Sequence, residues 1–145
     1  MTKEQLKVEI NKCERQINKC HSQFKDLDKK AKELDKAYEK LKSKYNEFGQ
    51  KNSAKIGKIS KILTEGQAVP MAKAIYNSMK STYIGKDFQR AEQGFINAME
   101  KIKVKRNDVY DEIDENKYRV KQLNERLIYL KHQLAAELAK GGVQS

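Results

Sequence analysis

The stretch that decides the fold is residues 6–48, LKVEINKCERQINKCHSQFKDLDKKAKELDKAYEKLKSKYNEF. Its apolar residues follow one another at spacings that alternate between four and three. They are Leu6, Ile10, Cys13, Ile17, Cys20, Phe24, Leu27, Ala31, Leu34, Tyr38, Leu41, Tyr45 and Phe48. This is the a and d pattern of a heptad, held for about six heptads where three or four suffice. It predicts a helix over 4–48, and Ile56, Ile59 and Ile62 would extend that helix to residue 63.

A second apolar stripe predicts a partner helix over residues 87–139. Its members are Phe88, Ala91, Phe95, Ala98, Ile102, Ile113, Val120, Leu123, Leu127, Leu130 and Leu134. In the middle Lys105 and Asn116 fall near the stripe, and the step from Val109 to Ile113 predicts a stutter. Gly141-Gly142 predicts the helix end, with Lys140 in the last turn.

Two long helices in one chain pair most simply as antiparallel neighbours. With Phe48 opposite Phe95, Cys20 faces Leu123 and Cys13 faces Leu130, so apolar residues meet throughout. We therefore predict an all-α fold: one domain, residues 1–145, forming a long antiparallel helical hairpin that resembles a coiled coil. The predicted seam between the helices is Ile10, Cys13, Ile17, Cys20, Phe24, Leu27, Leu34, Leu41, Phe95, Ile102, Val120, Leu123, Leu127, Leu130 and Leu134.

The connection between the two stripes predicts a short extra helix over residues 70–82, because Pro70 suits the first turn of a helix. The following segment, Tyr83-Ile84-Gly85-Lys86-Asp87-Phe88, predicts a tight turn. Gly85 permits a sharp reversal, and Asp87 can cap the next helix. We take Tyr83, Gly85 and Phe88 as a hairpin-turn motif, with the Tyr83 ring closing the end of the hairpin.

The composition favours long helices and a non-enzymatic role. Of 145 residues 35% are charged and 38% hydrophobic, and the net charge is +11. The N-terminus lacks the apolar run of a signal peptide, and no apolar run approaches the roughly 20 residues that span a bilayer. We expect no membrane insertion. We expect a cytoplasmic protein, or one exported with its partner without a cleaved signal.

No group of residues predicts catalysis, a metal site, a cofactor or a small-molecule substrate. A two-helix seam offers no pocket in which polar groups converge. In the predicted register His21 and His132 lie roughly 16 Å apart along the helices. Cys13 and Cys20 are seven residues apart on one helix, about 10 Å, which is too far for a disulfide within the chain. We interpret both as small apolar residues of the seam.

The Tyr83-x-Gly85 turn, with Phe88, Ala91 and Phe95 behind it, resembles the Trp-x-Gly elbow of the WXG superfamily of small type VII secretion proteins. Tyrosine here replaces the signature tryptophan. The long first helix and the extra middle segment are more similar to the LXG-associated α-helical proteins of Gram-positive bacteria. The resemblance implies an adaptor or targeting chaperone that binds the helical N-terminal LXG domain of a toxin, and it leaves room for a second small helical protein in the complex. The secretion signal that often follows the second helix in this family, Tyr-x-x-x-Asp/Glu, is not found in residues 138–145.

Apolar residues outside the seam are the candidate partner interface. They are Met71, Ile75, Met79, Val104, Tyr110, Tyr118 and Ile128. Two helices of the chain with two of a partner would form a four-helix bundle.

Two alternatives stay open. A basic run from Lys42 to Lys61 could neutralise phosphates of nucleic acid, although no stacking or groove-reading motif accompanies it. The flanks of the hairpin could also serve self-association of a structural coiled coil.

Overall fold

The computed structural model describes residues 1–65 and 70–143, without the side chains of 62–65, 72, 81, 142 and 143. It contains three helices: α1, Lys3–Glu65; α2, Pro70–Tyr83; and α3, Lys86–Val143. No strand occurs within these described ranges. Because α1 and α3 pack against each other, the predicted all-α hairpin is confirmed.

The N-terminus of α1 is fixed by a reciprocal cap that the sequence reading missed. The backbone N–H of Gln5 donates to Thr2 Oγ1 at 3.2 Å, and the backbone N–H of Thr2 donates to Gln5 Oε1 at 2.8 Å. This is a capping box, which satisfies two backbone donors that a helix start leaves without partners. Its signal is visible in the sequence as Thr2-x-x-Gln5.

The helices pack as two compact units: unit 1, Met1–Lys32 with Asn107–Ser145, and unit 2, Glu33–Arg106. In unit 1 the core cluster joins Leu6, Ile10, Cys13 and Leu130, with Leu123, Leu127 and Leu134 packed against it. Cys20 and Leu123 line one cavity, and Lys117 Nζ lies 5.9 Å from the centroid of the Phe24 ring. As residue numbers rise along α1, the numbers of the contacting residues on α3 fall, as in an antiparallel pair.

In unit 2 the same antiparallel pairing is marked by aromatic rings. Phe48 lies 5.3 Å from Phe95 and 5.4 Å from Phe88 between ring centroids, and Tyr45 lies 5.6 Å from Phe95. Such pairs add about 0.5–1.5 kcal/mol beyond the apolar area that they bury. Phe48 and Phe95 are thus neighbours, as in the register set out from the sequence.

The seam of α3 keeps a spacing of four and three that runs through Met99, with Ala98 covered beside it. The stutter predicted between Val109 and Ile113 is therefore wrong. Glu92 and Arg106 are half-buried, whereas Ala91 and Lys105 beside them are exposed. Charged residues can fill seam positions because their aliphatic stems cover apolar surface while the charge stays wet. The buried or half-buried positions are Phe88, Glu92, Phe95, Ala98, Met99, Ile102, Arg106, Val109, Ile113, Asn116, Val120, Leu123, Leu127, Leu130, Leu134 and Glu137.

A stutter does occur, but in α1. After Phe48, which has the half-buried Gly49 beside it, the covered positions are Asn52, Ile56 and Ile59, at steps of four, four and three from Phe48. Two consecutive steps of four are the signature of an inserted half-heptad, which locally unwinds a supercoil. Asn52 is polar, so the apolar spacing did not predict it as a covered residue, yet it is only 7% exposed.

Glycines interrupt the helices less than the sequence suggests. Helix α1 continues through Gly49 and Gly57 to Glu65, and α3 continues through Gly141 to Val143, beyond its predicted end at residue 139. No glycine of the described residues has a positive φ. Glycine costs a helix about 1 kcal/mol relative to alanine, which packing along a long seam can offset.

Candidate functional site

The turn between α2 and α3, which we call the elbow, consists of Ile84 and Gly85. The Ile84 N–H donates to the Lys80 carbonyl at 2.8 Å, and the Gln89 N–H donates to the Gly85 carbonyl at 3.1 Å. Gly85 therefore precedes α3 as its N-cap residue. Asp87, predicted as the cap, lies inside the first turn, where its charge still favours the positive end of the helix.

The sequence predicted that the elbow closes the end of the hairpin, and this prediction is wrong. The Asn52 side-chain amide donates to the Tyr83 carbonyl at 2.9 Å, while α1 continues past Asn52 to Glu65. The elbow thus lies beside the middle of α1 and separates α2 from α3. Physically, Asn52 satisfies one of the carbonyls that the C-terminus of α2 would otherwise leave without a partner.

Two of the motif residues, Tyr83 and Phe88, form a packed corner with Phe48 and Lys55 of α1. The Phe88 ring stacks on Phe48 with an interplanar angle of 11°. Lys55 Nζ lies 5.1 Å from the centroid of the Tyr83 ring, within the range of a cation–π interaction. The corner therefore binds the start of α3 and the end of α2 to the same stretch of α1.

A cavity of about 270 Å³ opens beside this corner. The elbow cavity, as we name it, is lined by Phe48, Lys51, Asn52, Lys55, Thr82, Tyr83, Asp87, Phe88 and Ala91. Three of these are aromatic, two are lysines, and Asp87 is the one acid. Phe48, Tyr83 and Phe88 are each half-buried, so the aromatic rings leave part of their surface uncovered.

The segment between Glu47 and Asp87, which includes the elbow, is rich in lysine. Between Glu47 and Asp87 the sequence has one acid, Glu65, and seven lysines: Lys51, Lys55, Lys58, Lys61, Lys73, Lys80 and Lys86. All seven lysines are exposed, as are Lys42 and Lys44 before them. Lys51 Nζ lies 2.9 Å from Glu47 Oε1. The Lys51 hydrogen bond and charge hold the pKa of Glu47 below its ordinary value.

The apolar residues predicted outside the seam are all exposed. On α2 the exposed fractions are 72% for Met71, 43% for Ile75 and 37% for Met79. These three are spaced by four residues, so they lie on one side of α2 and form what we call the α2 stripe. In unit 2 Val104 is 51% exposed. In unit 1 the values are 43% for Tyr110, 63% for Tyr118 and 58% for Ile128.

Several exposed apolar residues were not identified from the sequence. Tyr129 is 56% exposed and follows Ile128 directly, while Ile96, Ile84 and Val8 are 43%, 42% and 63% exposed. A heptad count along α1 and α3 would have placed Tyr129, Ile96 and Val8 outside the a and d positions, whereas Ile84 lies in the elbow. Leu138, which the sequence does place off the stripe of the second helix, is 46% exposed.

The cysteines and histidines do not come together. Cys13 and Cys20 are buried and neither forms a disulfide, whereas His21 and His132 are exposed. Among the described residues, no three His, Cys, Asp or Glu side chains converge in a way that would hold a metal ion. Within the same ranges, none of the helices combines the length and hydropathy needed to cross a bilayer.

Comparisons with other proteins were made at the level of family, sequence and structure. No known family matches this chain. Nor does any curated protein sequence or any solved structure. The functional interpretation therefore depends on the elbow, the α2 stripe, the exposed residues of α3 and the charge distribution.

Proposed function

We propose that this protein is a non-enzymatic adaptor, or targeting chaperone, which binds the helical N-terminal LXG-type domain of a type VII secretion toxin by forming a helical bundle. The observation that carries the proposal is the division of apolar residues into two sets. One set fills the α1–α3 seams of units 1 and 2. The other, seven residues from Met71 to Ile128, stays exposed by 37–72%.

The second set suits helix-on-helix binding because of how it is arranged. The α2 stripe repeats every four residues, which is how one helix presents side chains to a groove between others. Methionines supply adaptable contacts. Burying one such side chain contributes about 1.5–3 kcal/mol, from which the cost of association must be subtracted. Residues on both α2 and α3 are therefore needed for a stable complex.

The resemblance of Tyr83-x-Gly85 to the Trp-x-Gly elbow supports the choice of partner. Tyr83 and Gly85 do lie at a junction of two helices, with Phe88 and Phe95 packed behind it. The junction separates α2 from α3 and does not join the two long helices, which is a departure from a simple two-helix hairpin. The long α1 and the added α2 support the likeness to the LXG-associated α-helical proteins.

Co-purification tests the proposal. The tagged chain is expressed together with the helical protein encoded by the neighbouring gene, and we expect a complex that survives gel filtration. Replacing the α2 stripe by glutamine, Met71→Gln with Ile75→Gln and Met79→Gln, should reduce recovery of the partner at least tenfold. The control is Lys73→Gln with Asn77→Gln, on the other side of α2. Absence of a helical partner, or equal loss in both variants, would contradict the adaptor role.

The exposed lysines favour one alternative, electrostatic binding of nucleic acid. Phosphate contacts give an affinity that falls steeply with salt. A gel shift with a short DNA duplex and with RNA, at low and physiological salt, measures it. The adaptor proposal predicts no shift at physiological salt. The second alternative, self-association, is measured by light scattering, where the proposal predicts a monomer for the isolated chain.

A further inference from the structure

We infer that the elbow cavity anchors an acidic amphipathic helix of another protein. An apolar side chain of that helix enters the cavity, and carboxylates on the adjoining turns pair with Lys51 and Lys55. This inference rests on the proposed function in requiring a helical protein partner. It adds the anchor point and the chemistry of the partner, neither of which follows from the exposed stripe alone.

The cavity has room for an apolar side chain and a lining that suits one. Its volume is about 270 Å³. Its aromatic lining, Phe48, Tyr83 and Phe88, is incompletely covered within unit 2. Partly exposed aromatic rings around a recess are the surface on which binding energy concentrates in protein interfaces.

The rim of the cavity selects for negative charge. Lys51 and Lys55 both line it, and their charges exceed that of the one lining acid, Asp87. Lys51 is already near Glu47, yet its side chain keeps 71% of its surface exposed, so a further carboxylate can approach. The surrounding sequence, seven lysines to one acid between Glu47 and Asp87, steers acidic partners toward this end of unit 2.

The charge and the apolar stripe do not fit a lipid surface as well. Helices that lie on membranes carry Trp, Phe or Leu on the apolar face with basic residues beside it. The α2 stripe has only Met71, Ile75 and Met79. At about 100° per residue Lys73 and Lys80 lie on the opposite side of α2, and Lys80 Nζ lies 5.8 Å from the Tyr76 ring centroid.

A second copy of the chain is a poorer occupant than an acidic protein. The densest acidic segment is Asp108–Glu115, with five acids in eight residues. Basic residues bracket it on both sides, at Lys105, Arg106, Lys117 and Arg119. Its field toward another molecule is thus largely neutralised, whereas the field of the lysines at the elbow is not.

Fluorescence anisotropy with designed peptides tests the inference on the full chain. The probe is a labelled 18-residue helical peptide with leucines on one face and glutamates elsewhere. Matched peptides replace every glutamate by lysine, or every leucine by serine. We expect the acidic leucine peptide to bind at least tenfold more tightly than either, and its affinity to fall as salt is raised.

Variants of the chain locate the binding site. Ala91→Phe fills the cavity and should weaken peptide binding at least tenfold, while Lys51→Gln with Lys55→Gln should weaken it about fivefold. The control, Lys101→Gln with Lys103→Gln, removes the same charge from α3 away from the cavity and should leave affinity within twofold. Circular dichroism and urea unfolding confirm that each variant is folded, and Lys51→Gln alone keeps the cation–π contact of Lys55.

The outcomes separate this inference from the adaptor proposal. The inference would be overturned if all three peptides bound equally, or if the control variant lost as much affinity as the cavity variants. It would also be overturned if anionic vesicles or DNA, and not the peptide, bound in a manner that depends on Lys51 and Lys55. Concentration-dependent self-association that blocks the peptide would overturn it also. If Ala91→Phe leaves co-purification of the neighbouring-gene protein intact, the anchor is refuted while the adaptor proposal stands. If no such protein co-purifies but the acidic peptide binds as expected, the adaptor proposal fails and the anchor stands.

Discussion

Truncating Leu130 tests whether the seam of unit 1 stabilises the fold as its burial indicates. Leu130 is 0% exposed and lies in the core cluster with Leu6, Ile10 and Cys13. Leu130→Ala removes three carbon atoms, which at about 0.8 kcal/mol each gives about 2.4 kcal/mol of lost transfer free energy. A residual cavity adds to this, and buried Leu→Ala changes span about 2–5 kcal/mol.

The cavity term should be small here. Leu123, Leu127 and Leu134 around the site are only half-buried, so neighbours or water can fill the space. We therefore expect a loss of about 3 kcal/mol in the free energy of unfolding, toward the lower part of that range. The estimate lies in the lower part of the range because a leucine in a two-helix seam has fewer surrounding side chains than one in a globular core.

Leu138→Ala is the matched control, because it makes the same chemical change in the same helix. Leu138 is 46% exposed, so about half of the transfer term applies, or about 1.2 kcal/mol. Urea unfolding followed by circular dichroism at 222 nm measures both variants, with equal m-values as the check that the denatured states are comparable. Equal losses, within the ~0.5 kcal/mol typical of surface changes, would refute the reasoning.

Three further predictions concern unit 2. Gly94→Ala should raise the free energy of unfolding by about 0.5–1 kcal/mol, because Gly94 is helical with open space where the Cβ would lie; a loss in urea unfolding would count against the helix there. Asn52→Ala should cost about 1–3 kcal/mol and speed hydrogen exchange in the last turn of α2, since the Tyr83 carbonyl loses its donor. Lys51→Ala should raise the pKa of Glu47 toward 4.5 in an NMR titration. In the parent chain the pKa is lowered on folding, so the pair stabilises above about pH 4.5 and loses its effect as pH falls through the lowered value; an unchanged Glu47 titration in the variant would contradict this.

The fold was predictable because its main determinant is periodic. Thirteen apolar residues from Leu6 to Phe48 hold one heptad phase, and only a helix with a helical partner can bury such a stripe. The register followed from the same phase: Phe48 lies beside Phe95, and Cys13 shares a core cluster with Leu130. Four of the seven off-seam apolar residues were found because they lie off the stripe of the second helix, and three because they line the predicted short helix; all seven are exposed.

Two polar residues of the seam were not identified from hydrophobic spacing, whereas Asn116, which that spacing placed near the stripe, is buried as well. Arg106 occupies a seam position because its guanidinium lies 5.2 Å from the Tyr38 ring centroid and 3.3 Å from Asp35 Oδ1. Asn52 is covered because it caps α2. Both contacts join residues far apart in the sequence, so no local pattern indicates them. The elbow cavity likewise depends on three helices meeting, and the sequence indicated only the turn.

The most direct test of the account is hydrogen exchange by mass spectrometry on the complex with the co-purified helical protein. The proposed binding surface consists of apolar residues outside the seam, with the α2 stripe and the elbow as principal contacts. We therefore expect amides of residues 70–83 to exchange more slowly in the complex than in the isolated chain, and we expect Ile75→Gln to remove this protection. Protection confined to the faces of α1, with α2 exchanging at the same rate in both states, would contradict it.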